Sequence, residues 1–375
     1  MQATPSRHVD DDAVSAAELV HGSSRSEVVD AEVTYASHPI FDDAPAKTSR
    51  RSAGDSDGIT PPDPAPSTAL VPINAPVSRT APQSSAPSAQ QWWRRLLRMG
   101  PSPADIAMIE DGTSMRRPLE RPITVAIAQT RGEAGKTVTT FGLGSALSAA
   151  RGGGVVAWDN NEAPGNLADR LERDNQASIR DLLNAADWFM QPDALLVELE
   201  RVLQHQSTGF LQVLASDPHG AASIDVEQFA TVHAVLRKYY RLVIIDTGNS
   251  TRAVNWQASM RVADVIVVPL KLRSDHMVPA ARMIRGLQDA GEDLDGRLIL
   301  VLSCGPDDRH MSAAEQAQLF AEFGLDRFPL LEIPTDGIIN TASQLRWTDL
   351  APATQAAYRR LGALTVELAL GSPST

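Results

Sequence analysis

One short stretch decides the fold of this chain: Arg131-Gly132-Glu133-Ala134-Gly135-Lys136-Thr137. The chain has four lysines against thirty arginines, and one of the four is Lys136. An apolar run rich in β-formers, 123–128, precedes the stretch, and the proline-free residues 137–150, which predict a helix, follow it. In a strand, glycine turn and helix of this kind, backbone N–H groups and the helix N-terminus cradle phosphates. The stretch therefore predicts a phosphate-binding loop, with Lys136 on the β- and γ-phosphates and the Thr137 hydroxyl on Mg²⁺.

Length, net charge and cysteine count exclude several classes of protein. The chain has 375 residues and a formal net charge of -12, which argues against coating nucleic acid by bulk electrostatics. The single cysteine, Cys304, excludes an intramolecular disulfide and fits a reducing compartment. No signal segment and no run of about 18 apolar residues is visible. We therefore expect a soluble, cytoplasmic protein.

Residues 1–90 predict a disordered, acidic tail rich in Pro, Ala and Ser, with six basic and twelve acidic residues. The tail is either a tether for a partner or a solubilising segment. Residues 91–120 predict a short basic amphipathic helix, 91–99, and a linker after Gly100-Pro-Ser-Pro103 ends the helix. A helix of this composition docks on an anionic membrane, in a partner's groove or on its own domain.

From residue 121 to 370 the chain alternates apolar strands with helical stretches. The predicted strands are 122–129, 154–159, 211–215, 241–246, 264–270, 297–303 and 329–333. Continuous apolar runs separated by helices indicate an α/β fold, a mostly parallel twisted sheet with helices on both faces. Ligands of such sheets bind at the carboxyl ends of the strands.

Two predicted strands end in an acid at that edge. Asp159 ends one and is followed by Asn160-Asn161-Glu162, and Asp246 ends another and is followed by Thr247-Gly248-Asn249. An Asp at a strand tip beside a phosphate loop holds Mg²⁺ through water, whereas a lone one often only caps a helix. Together with the loop, the two acids favour a Mg²⁺-dependent phosphate site.

With these motifs, residues 100–370 resemble the ParA/MinD family of P-loop ATPases, in particular an actinobacterial branch of MinD-like, EspI-like proteins found beside type VII secretion systems and on mobile elements. The resemblance rests on the residues quoted above together with Asn255-Trp256, Ala263-Asp264, Val267-Val-Pro269, Ile333-Pro334, Leu350-Ala-Pro-Ala-Thr354 and Tyr358. It implies ATP and Mg²⁺ as ligands and a homodimer, formed on ATP binding, that sandwiches two nucleotides and acts as a switch for partners.

The resemblance also implies roles for individual residues. Those predicted to hold the nucleotide are Gly132, Glu133, Ala134, Gly135, Lys136, Thr137 and Val138. Those predicted to hold the metal are Thr137 and Asp246. Those predicted to act in hydrolysis are Lys136, Asp159, Asn161 and Arg131.

Three of these positions depart from the family pattern. Arg131 stands where the family has the lysine that contacts the other subunit's nucleotide, and Glu133 stands where it has glycine. Asn161 replaces the aspartate that positions the attacking water, and an amide cannot accept a proton as a base. We therefore predict slow hydrolysis.

Two other hypotheses stay open. A catalytically degenerate scaffold would bind nucleotide weakly and recruit partners through the tail or the 91–99 helix. A partition motor would bind non-specific DNA. The candidates for a basic patch, whose default interpretation is scattered surface charges, are Arg282, Arg285, Arg297, Arg346, Arg359 and Arg360. Residues 216–219 are interpreted as an ordinary turn rather than as a contact with the partner subunit.

Overall fold

The computed structural model describes residues 102–161, 165–208, 210–218, 224–303 and 312–371. The predictions for the tail 1–90 and for the helix 91–99 lie outside these residues. Within the described ranges, no helix is long and apolar enough to cross a membrane.

The centre of the molecule is an eight-stranded sheet. Its strands are β1 (Ile123–Ile127), β2 (Val155–Asn160), β3 (Gln204–His205), β4 (Gln212–Leu214), β5 (Leu242–Thr247), β6 (Val265–Leu270), β7 (Leu298–Ser303) and β8 (Leu330–Ile333). They lie in the order β3-β4-β2-β5-β1-β6-β7-β8. All neighbours pair in parallel except β3 and β4, which pair antiparallel.

Helices surround the sheet. They are α1 (Pro103–Met115), α2 (Lys136–Arg151), α3 (Leu167–Arg170), α4 (Ile179–Asn184), α5 (Ala186–Phe189), α6 (Leu196–Leu199), α7 (Val226–Tyr239), α8 (Val254–Val262), α9 (Ser274–Asp289), α10 (Ala313–Glu322), α11 (Gly337–Thr341) and α12 (Pro352–Gly371). Two short 3₁₀ turns, Glu200–Val202 and Trp347–Asp349, complete the described elements.

Alternate residues of the central strands bury against different helices. On β1, Val125 and Ile127 pack in a core with α2 and α12, whereas Ala126 packs in a second core with α8 and α9. Strands covered on both faces need apolar residues at every position, which explains the continuous apolar runs in the sequence. The predicted α/β fold is confirmed.

The seven predicted strands correspond to β1, β2 and β4 through β8. The prediction missed β3, the only antiparallel strand that the described residues contain. This strand is two residues long, Gln204–His205, and neither residue is apolar. Because the strand lies at the edge of the sheet, its sequence carries no hydrophobic period.

Helix α1 corrects the predicted linker. A helix begins at Pro103 within the predicted linker: the Asp105 N–H donates to Ser102 Oγ at 3.1 Å, and the Ser102 N–H donates to Asp105 Oδ2 at 2.9 Å. The helix packs on α12, where Asp111 pairs with Arg360 at 3.1 Å. The folded domain therefore includes α1 and does not begin at residue 121.

Candidate functional site

The predicted phosphate loop connects β1 to the first turn of α2. Gly135 precedes the helix with φ 92°, a left-handed conformation that suits glycine, and a Cβ there would lie 3.3 Å from Ser303 Oγ. No side chain caps the N-terminus of α2. The N-terminus of this 16-residue helix therefore has no capping side chain, which suits an anion.

Lys136 bends back over this loop. Its Nζ donates to the Gln129 carbonyl oxygen at 3.0 Å and also contacts Asn249 Oδ1. Gln129 follows β1 and Asn249 follows β5, so the ammonium group sits between the ends of two neighbouring strands. This places a positive charge at the carboxyl edge of the sheet.

Thr137 and Asp246 form the second part of the site. The Thr137 hydroxyl donates to Asp246 Oδ2 at 2.8 Å and lies 3.2 Å from Asn166 Oδ1. The other carboxylate oxygen of Asp246, Oδ1, is buried and accepts no hydrogen bond from the described residues. A buried carboxylate oxygen without a donor is costly, and a hydrated Mg²⁺ beside the hydroxyl would satisfy it. The residues present therefore fit the metal that the sequence predicted.

Asp159 lies behind this pair. It is opposite Asp246 in the β2–β5 register, and it accepts hydrogen bonds from Asn161 Nδ2 at 2.7 Å and from the Leu167 N–H at 3.1 Å. Ser216 Oγ adds a third donor at 3.3 Å. These bonds hold the carboxylate in place among buried residues.

Both buried carboxyl groups have raised pKa values. Burial, with the negative charge of Asp159 next in importance, raises the pKa of Asp246 to about 7, although the Thr137 hydroxyl and Lys136 oppose the shift. Burial also raises the pKa of Asp159, against the hydrogen bonds that it accepts. A cation placed between these groups would favour the ionised forms.

The three residues that depart from the family pattern take different positions. Glu133 is exposed and has φ 60°, a left-handed conformation that a residue with a Cβ adopts at a cost. Arg131 extends to the start of α9 and pairs with Asp275 at 3.3 Å. Asn161 stays at the site, where its amide binds Asp159.

A cavity of about 660 Å³ opens over the loop. Its lining includes Gly132–Val138, Asn161 and Asp246, all of which the sequence predicted. Asp159 and Arg131 do not line it. Asp159 contacts the lining residue Asn161, and Arg131 pairs with Asp275. The cavity thus joins the predicted loop with the predicted metal residues.

Several solved structures have a fold similar to that of this chain. A ParA family ATPase from Chlorobium tepidum TLS has a TM-score of 0.50 and 17% sequence identity, and the match covers 67% of this chain and 98% of that chain. The septum site-determining protein MinD complexed with Mg-ADP from Pyrococcus horikoshii OT3 has a TM-score of 0.50 and 18% identity, with 64% of this chain and 94% of that chain covered. A variant of Cyanothece McdA in complex with ATP has a TM-score of 0.50 and 19% identity, with 68% of this chain and 98% of that chain covered. This is the ParA/MinD ATPase fold. No family model matches the sequence.

The sequence is also similar to curated relatives. The ESX-1 secretion-associated protein EspI of Mycobacterium tuberculosis, in strains CDC 1551 / Oshkosh and ATCC 25618 / H37Rv, is 24% identical over 226 residues. The match covers 57% of this chain and 33% of each relative, so this chain spans a third of their length. A ParA/MinD fold joined to an EspI-like sequence agrees with the predicted resemblance.

Sequence reasoning missed several residues that line the cavity. Asn166, Asn249 and Lys271 line the cavity, as do Ser303, Asp336, Asn340 and Tyr358 from later elements. The scarcity of lysine, which marked Lys136, could also have marked Lys271 directly after β6. Ser216 was interpreted as part of an ordinary turn, but its hydroxyl binds Asp159 and accepts from the Gly165 N–H at 2.9 Å.

The arginine patch predicted for DNA does not form on one face. Arg282 and Arg285 are exposed on α9, whereas Arg359 and Arg360 lie on α12, and these helices pack on opposite faces of the sheet. Arg346 pairs with Glu172 at 2.7 Å, and Arg297 donates to the Ala263 carbonyl at 2.6 Å. The six residues therefore do not make the continuous basic surface that phosphate backbones require.

Proposed function

We propose that this chain is a cytoplasmic switch ATPase of the ParA/MinD type that binds Mg²⁺-ATP, dimerises when it does so and hydrolyses ATP slowly. One observation carries the proposal: Lys136 Nζ, Thr137 Oγ1 and the unpartnered oxygen of Asp246 lie at one cavity, over the uncapped start of α2. A cation, a hydroxyl, a carboxylate and a helix N-terminus without a side-chain cap at one place suit a triphosphate with its metal.

Each part of the cavity has a role in this proposal. The backbone of Gly132–Val138 and the Lys136 ammonium hold the β- and γ-phosphates, for which Lys136 exchanges its contacts with Gln129 and Asn249. Thr137 and Asp246 hold Mg²⁺, which when bound neutralises charge on the phosphates. Because a cation favours the ionised carboxylate, metal binding lowers the raised pKa of Asp246.

Slow hydrolysis follows from Asn161. Its amide donates to Asp159 and supplies no carboxylate to the cavity. The residue can orient a water molecule but cannot take its proton, so the site depends on positioning and electrostatics. Lys136 supplies the charge that stabilises the transferred phosphoryl group.

Dimerisation requires Arg131 to exchange its contacts. In the role proposed for it, this residue reaches the nucleotide of the second subunit, whereas in the single chain its guanidinium pairs with Asp275. The pair is exposed, and an exposed ion pair is worth about 0–1 kcal/mol. Exchanging it for a phosphate contact across a dimer is therefore inexpensive.

The cellular role that we propose is that of an accessory to type VII secretion, because the curated relatives are named as ESX-1 secretion-associated. The N-terminal tail and the helix predicted at 91–99 would contact the protein partner, and an anionic membrane surface is a further candidate contact. A role in partition or positioning on non-specific DNA is the alternative within the same fold.

A nucleotide-binding scaffold without hydrolysis is the second candidate function. The observation that favours it is Glu133, an acidic residue that lines the cavity at the phosphate loop. A negative charge there opposes a triphosphate. Such a protein would use ATP only to change its shape or its partners.

Phosphate release distinguishes the two functions. We expect the wild type to release phosphate slowly and only with Mg²⁺, and Lys136→Ala to fall to background. Asn161→Asp should increase the rate about tenfold or more, a modest part of the roughly 10²–10⁴ that a positioned base contributes. Arg282→Ala, on the exposed face of α9, is the matched control and should not change the rate. Wild-type release equal to that of Lys136→Ala, with ATP bound, would establish the scaffold instead.

A further inference from the structure

Two of the chain's four lysines line the cavity, Lys136 and Lys271. The proposed function gives a role to the first of them and none to the second. Lys271 directly follows β6 and is half-buried. A half-buried ammonium group loses part of its hydration, and an anion beside it offsets this loss. The position of Lys271 therefore suits contact with an anionic ligand of the cavity.

The phosphate loop crosses the end of β6, where Lys271 begins the connection to α9. The start of the loop is bound to β6, because Gln129 Nε2 donates to the Pro269 carbonyl oxygen at 3.4 Å. Further along, the loop reaches the end of β7, since a Cβ on Gly135 would lie 3.3 Å from Ser303 Oγ. Because β6 lies between β1 and β7, the loop passes beside Lys271.

The neighbouring cations are already paired, whereas Lys271 is not. Arg131 and Arg273 both pair with Asp275, at 3.3 Å and 3.1 Å. Lys271 makes no ion pair within the part of the chain that the structure describes. Two guanidinium groups thus occupy the acid that is nearest to Lys271 in the sequence, and its ammonium group stays available for a ligand.

The charges of the cavity also favour a second lysine at the phosphates. Among the described residues, the lining contains three basic and three acidic ones, which are Lys136, Arg170, Lys271, Glu133, Asp246 and Asp336. Arg170 is bound to the Ile339 carbonyl oxygen at 2.8 Å. Without Lys271 the acids would outnumber the bases, and Lys136 would hold a triphosphate against the charge of Glu133. Lys271 restores the balance.

We propose that Lys271 is a second phosphate-binding cation, which contacts the phosphate chain of the nucleotide from the β6 side while Lys136 contacts it from the β5 side. The inference rests on the proposed function, because it requires a triphosphate in the cavity. Lys136 Nζ lies between the ends of β1 and β5, and Lys271 lies on the other side of β1. An ammonium group is a point charge with three donors, so it binds phosphate oxygens from either side.

Titration of ATP with Mg²⁺ tests this role in the full-length chain. Lys271→Gln keeps a long polar side chain without the charge and should bind about tenfold more weakly than the wild type, whereas Lys271→Arg should keep most of the affinity. Arg273→Ala is the matched control, because it removes an exposed cation two residues away that does not line the cavity. Its affinity should change less than about twofold. Melting temperatures near that of the wild type show that the variants fold.

Two further arms identify what Lys271 contacts. Tripolyphosphate with Mg²⁺ carries the phosphates without the nucleoside, and Lys271→Gln should weaken its binding by the same factor as that of ATP. The loss should also persist when Lys271→Gln is combined with Glu133→Gln, since a direct phosphate contact does not depend on the charge of Glu133.

Three results would overturn the inference: a loss in Lys271→Gln no larger than that in Arg273→Ala, an unchanged affinity for tripolyphosphate, or a loss that disappears in the Glu133→Gln background. They would mean a general field effect, a nucleoside contact and mere compensation for Glu133, respectively. ATP binding that Lys136→Ala abolishes and Lys271→Gln leaves intact would contradict this inference alone. A folded wild type that binds no ATP would contradict the proposed function itself.

Discussion

At the scale of single residues, Glu133 is the feature that sets this phosphate loop apart. It lies at the rim of the cavity with φ 60°, where glycine is conformationally free and other residues are strained. The position thus carries a local cost and a negative charge next to the proposed triphosphate. The charge opposes ATP binding and the strain lowers stability, and neither is required by the packing, since the side chain is exposed.

Glu133→Gly should therefore bind ATP more tightly, by roughly threefold to tenfold, because a repulsive carboxylate is removed. The free energy of unfolding should rise by up to about 1 kcal/mol as the left-handed strain is relieved. Nucleotide titration and urea unfolding measure the two effects.

Phe210→Gly is the control for this change. Phe210 has φ 61° and is exposed, but it does not line the cavity. The same relief of strain there should leave ATP affinity unaltered. If Phe210→Gly improved affinity as much as Glu133→Gly, the charge at position 133 would not be the cause.

At the scale of elements, the helix that begins at the phosphate loop is held by α12. A Cβ placed on Gly142 of α2 would lie 2.3 Å from the Tyr358 ring, and Tyr358 also lines the cavity. The two helices therefore meet at a point where backbone and aromatic ring are in direct contact. This contact fixes α2, and with it the loop, against the C-terminal helix.

Gly142→Ala should lower the free energy of unfolding by about 1–3 kcal/mol, the usual cost of overpacking a close contact. ATP affinity should fall as well, because α2 must move. Gly337→Ala is the control: a Cβ there meets nothing within 4 Å, so its stability should be nearly unchanged. Thermal unfolding of the two variants side by side measures the difference, and equal melting temperatures would contradict the account.

The sequence predicted elements where burial leaves a strong pattern. The strands β1, β5 and β6 are buried at every position and mostly apolar, so their positions followed from the sequence pattern alone. Helix α1 escaped prediction because its first turns are exposed and it begins with Ser-Pro, a sequence that also ends helices. Strand β3 escaped because it depends on pairing with β4 and not on its own residues.

The site was predictable only in part for the same reason. Lys136, Thr137 and Asp246 follow strands or open a helix, and such positions show in the sequence. Ser216 and Asn249 act through contacts with residues far away in the chain, Asp159 and Lys136. Contacts of that kind depend on strand order, which the sequence pattern did not give.

At the scale of the whole molecule, the ionisation of two buried acids of the site, on adjacent strands, affects the stability of the fold. Asp246 and Asp159 lie opposite each other near the carboxyl ends of two neighbouring strands, and both have raised pKa values. The native protein therefore keeps a proton that the unfolded chain releases. When no cation is present, ionising the two carboxyl groups lowers the stability of the folded protein.

Stability without Mg²⁺ should consequently fall as the pH rises. The pKa of Asp246 is about 7 in the folded protein and 3.8 for the ordinary group, so the native state binds more protons between these values. The free energy of unfolding should then decrease from pH 4 to pH 7, by at most about 1.4 kcal/mol per pH unit from this group, and level off above pH 7. Urea unfolding in EDTA at several pH values measures the slope.

Two comparisons complete this test. Asp246→Asn should flatten the slope and be more stable than the wild type at pH 8 in EDTA. Mg²⁺ should stabilise the wild type more at pH 8 than at pH 5, since it binds the ionised carboxylate. An unchanged slope in the variant would show that other groups govern the pH dependence.

The central claim is that the cavity over the phosphate loop is a Mg²⁺-ATP site, and calorimetric titration of ATP tests it most directly. Wild type and Lys136→Ala are titrated with Mg²⁺ and with EDTA, with Arg282→Ala as the control. We predict saturable binding to the wild type and the control that weakens in EDTA and falls roughly tenfold to a hundredfold in Lys136→Ala, the cost of a lost charge-assisted contact. No binding to a folded wild type, or equal affinity in Lys136→Ala, would contradict the account.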